Sequence, residues 1–177
     1  MKFTLITAVS VLATLASGLA LPDLTRRGAP IYPEIAVVIK EEFPDTAFGK
    51  TTTAEVGRKN GSKNLKTLLG FVVPACTGKC KVSFAGATDA KGSQRMQFFT
   101  LGYYPTEKNT WNSKPYTDIH KGTFLTAGSS PATVVEDFGL TFDCPATSTK
   151  YGFEVQPVWD TDYISWNTQT QGFVITC

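Results

Sequence analysis

Tyr151, Phe153 and Val155 fall on one side of a period-two pattern and Lys150, Glu154 and Gln156 on the other, which predicts a half-buried strand over 150–156. Residues 80–84, 140–144 and 173–177 alternate in the same way, and runs at 47–56, 66–73, 95–104, 132–138 and 163–167 add further strand candidates between Gly, Asn and Pro clusters. About nine short strands with turn signals between them predict an all-β fold, an antiparallel β-sandwich or jelly roll. Helical periodicity is nearly absent. The best helical candidate, 33–42, places Pro33 near a first turn but Glu41 and Glu42 at the end where the helix dipole disfavours acids. Its β-branched residues suit an edge strand equally well.

The first residues carry a different pattern. A short basic start (Met1-Lys2), an apolar run over 3–16 and the small residues Ser17-Gly18-Leu19-Ala20 predict a secretory signal peptide over 1–20. Polar, Pro-containing sequence follows at once, which argues against a retained membrane anchor. Leu21-Pro22-Asp23-Leu24-Thr25-Arg26-Arg27 ends in a dibasic pair, so 21–27 is read as a short pro-segment removed by processing. Residues 28–177 then form a single secreted, extracellular domain large enough for one core.

Removal of that leader changes the charge. The full chain has 17 Lys+Arg and 15 Asp+Glu. Lys2, Arg26, Arg27 and Asp23 all lie in the leader, so the processed chain is neutral and gives no electrostatic case for nucleic acid as a partner. Locally the charge is uneven. Arg58, Lys59, Lys63, Lys66, Lys79 and Lys81 occur with no acid between them, whereas Glu136, Asp137, Asp143, Glu154, Asp160 and Asp162 face only Lys150. Such runs are usually solvated faces, and they can also steer a partner.

Four cysteines in a secreted chain predict two disulfides with three possible connectivities. Cys144 and Cys177 share strand faces with apolar neighbours, which favours Cys144–Cys177, leaving Cys76–Cys80 to staple the loop Thr77-Gly78-Lys79. Zinc is disfavoured: C-x3-C has no second ligand pair nearby in sequence, and His120 is the single histidine. No metal and no cofactor are expected.

Nucleophilic and phosphate-binding patterns are missing. Gly49-Lys50-Thr51 resembles the end of a phosphate loop, but the position of its first glycine is Pro44. A Ser-His-Asp relay would have to use His120, placed by the pattern in a loop. Carboxylates are the better enzymatic candidates: Glu154 and Asp143 lie opposite core-facing residues and would share an exposed sheet face if their strands were neighbours, with Glu136 close by. Solubilising acids give the same pattern. Trp111, among polar neighbours, and Trp159, beside Asp160, are the candidate exposed rings for stacking on a sugar or anchoring a protein. Asn60-Gly61-Ser62 is an N-glycosylation sequon whose Asn-Gly pair also predicts an exposed hairpin tip.

Phe43-Pro44 with Ala47-Phe48-Gly49, the run from Phe71 through Pro74-Ala75-Cys76-Thr77-Gly78-Lys79-Cys80 to Phe84, and Phe142-Asp143-Cys144-Pro145 leading into Tyr151-Gly152-Phe153-Glu154-Val155 carry a family likeness. Over roughly 40–177 the chain resembles the fungal domain family named after the C-terminal part of the ubiquitin 3 binding protein But-two. The resemblance implies secretion signals in many members and brings no catalytic residues. The family's name implies a ubiquitin-like partner, which a secreted, disulfide-bonded chain does not normally meet, so that activity is not carried over. The expectation is a secreted, non-enzymatic binding or structural module or effector, extracellular or cell-wall-associated, with a wall polysaccharide or an extracellular protein as partner. The alternative is an extracellular glycoside hydrolase using Glu154 with Asp143 or Glu136.

Overall fold

The computed structural model describes residues 28–177, and the leader read over 1–27 lies outside them. Twelve strands follow one another: β1 (Ile35–Lys40), β2 (Thr53–Lys59), β3 (Ser62–Val73), β4 (Lys79–Phe84), β5 (Asp89–Gly92), β6 (Arg95–Leu101), β7 (Thr117–Ala127), β8 (Ser130–Asp137), β9 (Thr141–Asp143), β10 (Thr149–Pro157), β11 (Asp162–Asn167) and β12 (Phe173–Thr176). No helix occurs among the described residues. Within the segment 33–42, Ile35–Lys40 form strand β1, antiparallel to β3 from Ile35↔Gly70 to Lys40↔Leu65. It is buried on both faces, with Ala36 in the main core and Val37 and Ile39 in a second cluster.

A curled nine-stranded antiparallel sheet runs β5-β11-β2-β3-β10-β6-β7-β8, with β1 also on β3, and a three-stranded sheet, β12-β4-β9, packs against it. Phe98 and Phe153 from the large sheet and Phe173 from the small one form a stack with 4.6 Å between successive ring centroids. Phe84, Phe124 and Trp166 meet Phe173 edge-on. Such pairs contribute about 0.5–1.5 kcal/mol beyond their burial.

β3 explains its own apolar run. Leu69, Phe71 and Val73 point between the sheets, while Leu68 points outward into a smaller cluster with Val37, Ile39 and Leu101. That outer cluster is covered by the connection between β6 and β7, whose Trp111 packs against it. The large sheet is thus buried on part of both faces, and the alternation expected of a half-wet sheet fails there.

The disulfides are Cys76–Cys177 and Cys80–Cys144, not Cys76–Cys80 and Cys144–Cys177. β4 lies between β9 and β12, so Cys144 and Cys177 emerge from the two outer strands and each bonds inward, to a cysteine at or just before β4. Face alternation gives the side of a strand on which a sulfur sits but not which neighbour it meets.

Candidate functional site

The β2–β3 hairpin turns on Asn60 and Gly61, with φ of 51° and 73°. Positive φ at both central residues is what a two-residue turn between twisted strands requires, and Asn-Gly adopts it readily. Asn60 is exposed there, as the sequon's turn signal predicts. The Gly61 N–H donates to the Asp160 carbonyl at 2.9 Å, docking the turn on the β10–β11 connection.

That connection is organised by Asp162, whose side chain is buried. Its carboxylate accepts the Ser93 N–H, the Ser93 hydroxyl at 2.8 Å and the Trp159 N–H at 3.0 Å. One carboxylate thereby joins the β5–β6 turn to the β10–β11 connection and fixes the backbone of Trp159, whose side chain is left 58% exposed.

Beside it lies a groove of about 350 Å³ whose walls include Arg58, Lys59, Lys63, Leu65, Lys91 and Tyr163. Gly57 forms part of its floor, where a Cβ would stand 3.0 Å from the Asp162 carbonyl oxygen and 3.3 Å from the Tyr163 ring. Arg58 donates from Nε to Asn64 and from a terminal nitrogen to the Val158 carbonyl at 3.5 Å, and it makes no ion pair within 4.0 Å among the described residues. Lys63 pairs with Glu42 at 2.7 Å and Lys91 with Asp89 at 2.8 Å. Lys59 makes no ion pair among the described residues. Burial pushes the Tyr163 phenol above its ordinary range, and the hydroxyl donates to Glu55 at 3.1 Å. The groove therefore presents cationic donors beside the Tyr163 ring, and the exposed Trp159 is tied by its backbone to Asp162 in the groove wall. Rings with polar donors beside them can stack on a flat face and hydrogen-bond its substituents.

The carboxylates expected for hydrolysis are not brought together. Asp143 lies on the small sheet, exposed and paired with Lys79 at 2.7 Å. Glu136 lies on β8, where it accepts the Thr123 hydroxyl. Glu154 points outward from β10 opposite Leu68, but that face is covered, and its side chain is 0% exposed. Lys66 at 3.0 Å and Lys114 at 2.6 Å flank it, and Thr117 and Gln156 donate at 2.6 and 2.9 Å. Burial alone would raise this carboxyl, but Lys66, Lys114 and the Thr117 hydroxyl outweigh it and hold the group below its ordinary range. A general acid needs the opposite shift.

Trp111 is half-buried rather than exposed: it packs on the outer cluster, with the Lys66 ammonium 4.9 Å from its ring centroid. His120 lies on β7 rather than in a loop, stacked on Phe99 at 4.6 Å and leaning on Phe138. Of the two tryptophans read as binding residues, Trp159 alone presents its ring to solvent. The basic run starting at Arg58 is visible in the sequence, but Lys91, which closes the groove with Tyr163, is distant in the chain and gives no local signal.

A family model described as Ubiquitin 3 binding protein But2 C-terminal domain matches residues 31–171. No curated protein matches the chain.

Proposed function

Because the chain belongs to the ubiquitin 3 binding protein But2 C-terminal domain family, we propose that it acts as a non-enzymatic binding module, secreted and working outside the cell through the groove beside Trp159. The observation that carries this reading is the groove walled by Arg58, Lys59 and Lys63, in which buried Asp162 also accepts the backbone N–H of Trp159, a residue 58% exposed. With the Trp159 backbone already fixed by Asp162, less freedom remains to be lost when its ring binds. The two disulfides fit an oxidising compartment. No helix among the described residues is long and apolar enough to cross a membrane. The ligand we favour is a cell-wall polysaccharide, and a glycan on Asn60 would stand beside the same groove.

The test is depletion of the secreted chain from solution by insoluble chitin, β-glucan or cellulose, with released soluble sugar measured in parallel. Depletion without release is expected, and Trp159→Ala should weaken it at least tenfold while leaving the melting temperature within about 2 °C, as for a surface change that removes no core contact. Release of sugar would overturn the non-enzymatic reading.

A second reading, an extracellular protein partner, is favoured by Tyr116, Ile119 and Phe138, exposed on and beside β7. Charged substitutions at Ile119 and Phe138 would then abolish capture of that partner and leave polysaccharide depletion intact.

A further inference from the structure

Cys76 and Cys80 have no second ligand pair near them in sequence, and the fold supplies one in Cys144 and Cys177. The sulfurs of Cys76, Cys80, Cys144 and Cys177 all lie within 4.8 Å of one another. Across the two disulfides, the sulfurs of Cys80 and Cys177 are only 3.6 Å apart. A tetrahedral zinc tetrathiolate with Zn–S bonds of about 2.3 Å sets its sulfurs about 3.8 Å from one another. The four side chains are thus gathered on the scale of a metal centre.

Backbone hydrogen bonds hold the same segments together in addition to the S–S bonds. The Cys144 N–H donates to the Gly78 carbonyl at 3.0 Å and the Cys76 N–H to the Pro145 carbonyl at 3.1 Å, locking the 76–80 loop against the segment after β9. Cys80 pairs across from Phe142 on β9. Cys177 is held by β12 on β4, by the Gly28 N–H to its own carbonyl at 3.1 Å, and by reciprocal Ile31 and Ile175 bonds at 2.8 and 3.0 Å. Cys80 is buried, whereas Cys76 and Cys144 line an open hollow of about 500 Å³ through which a reductant or an ion can enter.

We propose that the fully reduced chain binds one borderline-soft divalent cation of the zinc class through Cys76, Cys80, Cys144 and Cys177, and that metal and disulfides are alternative occupants of the same cluster. The balance is simple. Two equivalents of a dithiol reductant give two electrons and two protons to each disulfide, producing four protein thiols and two molecules of oxidised, cyclic reductant. The cation then displaces one proton from each thiol, forming four metal–sulfur bonds with no change in oxidation state. A small-molecule disulfide oxidant, two equivalents of which accept the four electrons and leave as four thiolates, re-forms the two bridges and ejects the ion.

The test reduces the full chain anaerobically, removes the reductant and titrates Co²⁺ as the probe, followed by Zn²⁺. The expected result is saturation at one equivalent with the intense visible bands and sulfur-to-metal charge transfer of a tetrahedral cobalt thiolate, release of four protons, and loss of the spectrum as Zn²⁺ displaces Co²⁺. Cys76→Ser and Cys144→Ser should each weaken binding more than tenfold and remove part of the charge-transfer band. Where reduction loosens the fold, the metal should restore the near-ultraviolet circular dichroism of the oxidised protein. Weak octahedral spectra, binding unchanged in both serine variants, or failure of the metal to restore the fold would each overturn the proposal.

Discussion

Glu154 shows how far one residue's meaning depends on what covers it. Its alternation with Phe153 and Val155 is correct, so its face was legible, but the lid over that face was not: Lys114 and Thr117 reach it from the β6–β7 connection and the start of β7. Two lysines against one carboxylate make a buried cluster whose parts depend on one another. Glu154→Gln would leave Lys66 and Lys114 facing each other without compensation and should cost about 3 kcal/mol in a urea titration. The sign of the pH effect follows from the lowered native pKa. The unfolded chain takes up this proton more readily, so the contribution is complete above the ordinary glutamate range, and it is lost as pH falls through that range to the native value. Wild-type protein should lose urea resistance over that acid window, and the variant should lose less, Asp137 and Glu41 adding the same sign in both through their backbone hydrogen bonds.

Among the elements, most strands fall where the sequence places a candidate, and β5 and β7 do not. β4, β10, β11 and β12 sit where period-two patterning puts them. The sequence offers no strand candidate over β7 and places His120 in a loop; the pairing of β7 with β6 shifts register between Phe98 and Phe99 and again before Leu101, which breaks the alternation around His120. β5 is four residues, half of them exposed, too little for a pattern to build. The candidate over 47–56 begins too early: the strand starts at Thr53. At the entry to β12 a single glycine is the limiting feature. Gly172 has φ +76°, and a Cβ there would collide with the Trp166 indole, itself fully buried against Phe84 and Phe173. Gly172→Ala combines an unfavourable left-handed backbone with overpacking, and a loss of about 2–3 kcal/mol is expected from chemical denaturation. A control at Gly78, also at positive φ but with open space around it, should cost only the backbone part, about 1 kcal/mol.

On the scale of the whole molecule the two disulfides link segments that the sheets alone leave distant in the chain, with sequence separations of 101 for Cys76–Cys177 and 64 for Cys80–Cys144. Four cysteines and an oxidising route made the number of bridges legible. Connectivity was not, because it is decided by strand order: β4 stands between the strands that carry the other two sulfurs, and that order depends on contacts far apart in sequence. Peptide mapping of unreduced protein should return Cys76–Cys177 and Cys80–Cys144. In the chain-entropy account, loops of these lengths each contribute between about 4 and 5 kcal/mol, differing by less than about 0.5 kcal/mol. Replacing either pair with serines should therefore lower stability by similar amounts. A bridge over the three-residue loop 77–79 would have closed too little chain to matter so much. The pairings thus predict two nearly equal losses in parallel urea titrations, whereas the connectivity expected from face alternation predicts one large loss and one small one.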